Sequence, residues 1–446
     1  MKSCVGLLVL GVVAVAACGD SGPAEDEEVS SDAAFVTSSD DEGDKVEAPP
    51  VSFTADRDAN YLVTFASNED TGTGSYKLSL SCEGTDFQCQ RANFDKPCEP
   101  GQLFVQGAKI EGNVTWNKCE VVLLESATVT QGSTLTIQPG VQIKGNYLDP
   151  TQRSQFGNVT LTVEGLIQGA GSKAAPISFT SFKGDRGWGG IAIKSKGNSL
   201  KNVVIERANV AVDVQSGGNL EVVDSLIQGV EISGQRSQAG IRAAQDVEAK
   251  FTRALVKGFG VGLHLANAQK MVIEDSVIRE NDNGVQVDGV NPTQGCGNPQ
   301  PVQRWHDPII TYSDIVANRN LGVLINGSDV LVQISKSNLV GNAGGALQIW
   351  GAQLNEGSFF RENNVYDNGN GSQEVITYHR QGVIDISQNY WKEISDPELS
   401  ANWNLACRGQ ITFTGFAPVV ISDAGPRAQD TLVPGVKEGC YKHAGQ

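Results

Sequence analysis

Four asparagines, Asn281, Asn318, Asn342 and Asn368, recur along the C-terminal half of the chain, and the first three lead into the short apolar runs Gly284-Val-Gln-Val287, Gly322-Val-Leu-Ile325 and Gly345-Ala-Leu-Gln-Ile349. The last three asparagines are 24 and 26 residues apart, and the first interval of 37 carries an insertion. A period near 24 with one strand fixed to each repeat predicts stacked coils, about 4.8 Å apart, whose strands pair with the coils above and below. The asparagines are then expected to form an internal ladder of side-chain amides at one tight turn, because asparagine tolerates left-handed backbone.

The same alternation extends upstream. In Gly132-Ser-Thr-Leu-Thr-Ile-Gln-Pro-Gly-Val-Gln-Ile-Lys-Gly145 it places Leu135, Ile137, Val141 and Ile143 on one face, and it returns at 161–169, 177–179 and 187–193. Every second residue points to a shared interior. With Thr134-Leu-Thr-Ile-Gln-Pro-Gly140, the Trp188-Gly-Gly-Ile turn, the asparagine coils and Asn389-Tyr390-Trp391, the chain resembles the pectin-lyase-like, right-handed parallel β-helix superfamily over roughly residues 104–420. Many relatives follow the last motif with glycine, where this chain has Lys392. The resemblance implies an all-β solenoid. Relatives with known activities include pectate lyases, polygalacturonases and alginate epimerases, but a fold does not carry a chemistry. The coils lack the paired Asp-Asp of a galacturonan hydrolase, in which two carboxylates flank the scissile bond. A Tyr-Gly-Phe-Asp-Pro-His run is also missing, and Tyr312-Ser-Asp314 reads as an ordinary strand and turn.

The N-terminus begins with Lys2, runs apolar from Val5 to Val15 and ends in Val15-Ala-Ala-Cys18, which reads as an export signal. The run is short of the roughly 20 apolar residues a spanning helix needs. It resembles the lipobox of bacterial lipoproteins, which implies cleavage before Cys18 and lipidation of its thiol, and hence a protein held to a membrane at the outer membrane or cell surface. Residues 19–50 carry eleven acids against the single base Lys45, in a chain of net charge −17, and almost no aromatic residues, so they read as a disordered tether. Residues 51–99 form a small cysteine-containing β segment, with a hairpin signal around Gly72-Thr-Gly74. The stretch 70–80 looks like the last strands of the bacterial pre-peptidase C-terminal domain, over about thirty residues in all. The solenoid is expected over 100–420 and a tail over 421–446.

No basic stripe appears, so a nucleic-acid partner is not expected. Cys4 is lost with the signal. Of the remaining cysteines, Cys82, Cys89, Cys98 and Cys119 cluster at the start of the body, while Cys407 and Cys440 flank its last segment. This suggests staples at both ends, with Cys407 bonded to Cys440, and leaves Cys296 as the odd thiol. The spacing matches no zinc pattern, and neither a metal nor a cofactor is expected.

Four histidines occur. His264, in Val261-Gly-Leu-His-Leu265, should point outward between apolar neighbours, and His443 lies in the tail. The insertion 289–307 ends in Arg304-Trp305-His306-Asp307, and in later coils the same corner carries Asn326, Trp350 and Tyr378-His379-Arg380. Rings with Arg, His and Asp along one edge suit an extended sugar chain: the rings offer apolar faces to pyranoses, and the polar groups offer hydrogen bonds. Two classes follow. One is a non-catalytic surface module that binds polysaccharide or a cell-surface protein, or serves as a rigid stalk. The other is a polysaccharide lyase or hydrolase with a divergent site, in which His379 or His306 is the base and Arg380 or Arg304 neutralises a uronate.

Overall fold

The computed structural model describes residues 98–427 except 149–153, 245, 267–269, 289–306, 327–329, 351–353, 370–374, 379–381, 393–401 and 404–409, all within the unit Phe94–Gln446. The signal, the tether, Cys82, Cys89, Cys296, Cys407 and Cys440 lie outside the described residues.

Each coil contributes three strands. One full turn runs through Lys270–Glu274, Val277–Arg279 and Asn283–Asp288, and the next through Asp307–Thr311, Asp314–Val316 and Leu321–Asn326. Like strands pair in parallel with the coils before and after, which produces three stacks, called here the first, second and third sheets. The first two are joined by the ten-residue strands Asn219–Gln228 and Glu248–Lys257, which turn the corner unbroken. The resulting sheet has 21 strands among the described residues and the third sheet has 12. The fold is a parallel β-helix.

The core is built of vertical files. Val222, Phe251, Ile273, Ile310, Ile334 and Phe360 stack in the first sheet. Ile205, Ile227, Val256, Ile278, Ile315, Leu339 and Val365 do so in the second. The third sheet supplies Val212, Ile241, Leu263, Val285, Val323, Leu347 and Val375. All are buried, and each stabilises the fold by about 1.5–3 kcal/mol relative to an exposed side chain. Period-two alternation in three sheets thus fills one continuous interior with branched and aromatic groups.

Two corners carry polar ladders. Between the second and third sheets Asn281, Asn318, Asn342 and Asn368 are fully buried, and the side-chain oxygens of the last three accept from the amide of the asparagine one coil earlier, at 3.2, 2.8 and 2.9 Å. The same oxygens accept the backbone N–H of those earlier residues. The left-handed conformation expected at the asparagines sits one residue earlier, on Glu280, Ala317, Gly341 and Asp367. Asparagine is therefore used for its amide and not for its backbone tolerance: a buried N–H of a neighbouring coil has no other partner, and leaving it unpaired costs about 1–3 kcal/mol.

The corner between the first and second sheets carries a serine ladder. Ser276 donates to the carbonyl of Glu274 and accepts the N–H of Ala254, and Ser313, Ser337, Asn363 and Asn389 continue the series. The residue before each step is left-handed: Asn202, Asp224, Arg253, Asp275, Tyr312, Lys336, Glu362 and Gln388, with φ from 48° to 60°. Non-glycine residues rarely adopt this region. Here the repeating hydrogen bonds on either side impose it.

A disulfide joins Cys98 to Cys119 at the first coil, beside the pairing of Glu99–Val105 with Lys118–Leu123.

Candidate ligand-binding face

In the third sheet the alternation that sends Ile241, Leu263, Val285, Val323 and Leu347 inward turns Arg242, His264, Gln286, Leu324 and Gln348 outward, in register from coil to coil. At the C-terminal end of the same strands Asp288, Asn326, Trp350 and Tyr378 form a second row, each aligned with the next. Trp350 is 51% exposed. Steps of about 4.8 Å spread the row over roughly 14 Å.

Asp288 roots the long insertion and accepts three side-chain contacts. His264 Nε2 lies 2.7 Å from Asp288 Oδ2, Gln286 donates to the same oxygen at 2.8 Å, and Asn326 donates to Oδ1 at 3.3 Å. Burial pushes the Asp288 carboxyl up, but the hydrogen bonds from His264 and Gln286 outweigh it and hold the group below the usual carboxylate range. Two coils nearer the N-terminus Arg242 clasps Asp213 through two contacts of 2.8 Å. Burial again raises the carboxyl, and the Arg242 and Gln215 hydrogen bonds again prevail and lower it. A general acid for glycoside cleavage needs a raised carboxyl. Asp213 and Asp288 are held ionised instead, as fixed acceptors.

Of the residues singled out by sequence, Trp350 and the Tyr378 backbone fall in one row, whereas Asp307 opens a first-sheet strand in register with Lys270 and so lies on the adjacent sheet. Arg304, Trp305, His306, His379 and Arg380, and the side chain of Tyr378, lie outside the described residues. His264 points outward from its strand, half-buried, and its partner was the missing element in the sequence reading. In register His264 aligns with Gln286, 22 residues on, and Asp288 stands two residues further along the same face of that next strand, so the contact is diagonal and follows from the register.

Residues 189–365 match the family model for a right-handed β-helix region, and residues 108–226 match that for a pectate-lyase-like β-helix domain. No match to a curated protein was found. Together these matches span residues 108–365 and support assignment of the solenoid to the pectin-lyase-like superfamily of right-handed parallel β-helix proteins.

Proposed function

We propose that this protein is an exported, non-catalytic module, anchored to a membrane through lipid on Cys18, that binds an extended polysaccharide along the C-terminal edge of its third sheet. The observation that carries the reading is the row Asp288, Asn326, Trp350, Tyr378, in which an exposed indole stands one coil from a fixed amide and two from a fixed carboxylate. An indole face covers the apolar side of a pyranose, while Asn326, Asp288 and Gln286 present hydrogen-bonding atoms whose positions are set by mutual contacts. The depressed carboxyls of Asp213 and Asp288 suit binding and not proton donation.

The test is a glycan array with the full chain, followed by calorimetry on the best ligand. Trp350→Ala should weaken binding by about 0.5–1.5 kcal/mol while leaving the melting temperature nearly unchanged. Unaltered affinity would move the binding surface elsewhere. Depolymerisation of an acidic polysaccharide that drops about 10² to 10⁴ fold in His379→Ala would instead establish the lyase or hydrolase reading.

A further inference from the structure

Beyond the strand Gln410–Thr412 the chain stops spiralling and runs lengthwise back along the solenoid. Ala417 N–H donates to the Asn389 carbonyl at 2.9 Å, Gly425 N–H to the Lys336 carbonyl at 2.9 Å, and Arg427 N–H to Asp275 Oδ1 at 3.1 Å. Between them Ile421 exchanges a pair of hydrogen bonds with the Asn364 side chain, its N–H donating to Oδ1 at 2.8 Å and its carbonyl accepting from Nδ2 at 3.0 Å. From the coil of Asn389 to that of Asp275 eleven residues cross four coil steps, about 19 Å.

The track beneath the tail is specific. Asp314, Asn338 and Asn364 flank the core residues Ile315, Leu339 and Val365, so they face outward, yet Asn338 and Asn364 are buried. They form an external amide ladder, Asn364 donating to Asn338 at 2.8 Å and Asn338 to Asp314 at 2.7 Å. Gly425 crosses this ladder with φ +95°, and a Cβ there would stand 2.4 Å from Asn338 Nδ2. Arg427 closes the contact: its Nε and Nη2 reach both oxygens of Asp275 at 2.9 and 2.7 Å, Nη2 also reaches Glu274 at 2.5 Å, and the guanidinium lies 4.0 Å from the Tyr312 ring centre. Lys336 pairs with Asp423 at 2.9 Å on the way.

We propose that residues 413–427 are a releasable latch, closed by Arg427, that joins the coils from Asp275 to Asn389 into one cooperative unit. Coils of a solenoid otherwise contact only their neighbours and fray from the ends. The Arg427–Asp275 contact links positions 152 residues apart and bypasses the coils between. The hold is conditional, because Phe416, Val419 and Val420 are exposed. Little apolar burial keeps the segment down, and main-chain hydrogen bonds with charged contacts at Arg427 and Lys336 do most of the holding. Charged contacts at a surface weaken with salt.

Hydrogen exchange by mass spectrometry on the full chain tests this. In Arg427→Met the amides of 417–427 should exchange about tenfold faster or more, and strands between 307 and 366 should exchange faster as a group, while strands between 118 and 206 stay unchanged. Raising the salt concentration should loosen the wild type in the same regions and add little in the variant. Asp275→Asn, which opens the clamp from the other side and keeps a residue tolerant of left-handed backbone, should reproduce the pattern. Wild-type exchange in both variants, or loosening confined to 413–427, would overturn the proposal.

Discussion

Asp213 and Arg242, 29 residues apart in sequence, face each other across one coil step on the outer side of the third sheet, and the guanidinium meets both carboxylate oxygens at 2.8 Å. The same arrangement recurs at the first corner, where Arg253 holds Asp224 through contacts of 2.5 and 3.0 Å. Charge on this solenoid is thus paired along its axis, between coils, by residues that sequence places about one period apart.

That pairing sets a pH dependence. Burial raises the carboxyls of Asp213, Asp275 and Asp288, but hydrogen bonds from Arg242, Arg427 and His264 respectively prevail, so all three lie below the usual carboxylate range. Asp275 is also faced by Arg253 and adjoins Glu274. The folded state binds fewer protons than the unfolded state in this range, so the stability these groups supply is present above about pH 4 and is lost as pH falls through their depressed values. Thermal melts at fixed ionic strength should show a midpoint that declines below about pH 4, and less steeply in Asp213→Asn. An identical acid limb in that variant would exclude Asp213 as a source.

The asparagine ladder predicts a large cost for a small change. Asn318→Ala removes the acceptor of both the backbone N–H and the side-chain amide of Asn281, and the donor to Asn342 and to the Ile278 carbonyl. All four partners are buried, so destabilisation of about 2–4 kcal/mol is expected. Asn320→Ala, two residues on and exposed, should cost much less. Urea titration of both variants measures the difference, and comparable losses would mean that the ladder adds nothing beyond ordinary packing.

Lipidation of Cys18 is predicted from the small residues before it and the acidic tract after it. Metabolic labelling with a fatty-acid analogue should mark the wild type and not Cys18→Ala, and the variant should leave the membrane fraction. Equal labelling of the two would remove the anchor.

The coil period and the core were legible in the sequence because they depend on residue type: Val, Ile, Leu and Phe alternate wherever a strand faces the interior, and Asn281 to Asn368 repeat as one letter. The first corner was not legible. Its left-handed positions hold Asn, Asp, Arg, Tyr, Lys, Glu and Gln, since a conformation imposed from both sides leaves no preference to read. The His264–Asp288 contact needs the register as well as the period, and each residue taken alone reads as a surface side chain. The segment 413–427 has no alternation, and many of its contacts come from the main chain, which carries no letter; Asp423, Gly425 and Arg427 are specified by type. At the candidate face, alignment of Asp288, Asn326, Trp350 and Tyr378 follows from the same coil period, whereas Arg304 to His306 and His379 to Arg380 lie outside the described residues.

The left-handed corner has a consequence for what can be written on this protein. From Asn202 to Gln388 the backbone sets the direction of eight side chains, one per coil, with a rise near 4.8 Å. Identity at these places is decoupled from conformation, so the corner behaves as a ruled scale whose marks can be changed one at a time. A row of chosen charges, rings or thiols placed there would inherit its spacing from the helix, provided that each residue chosen can take the left-handed backbone, which excludes proline.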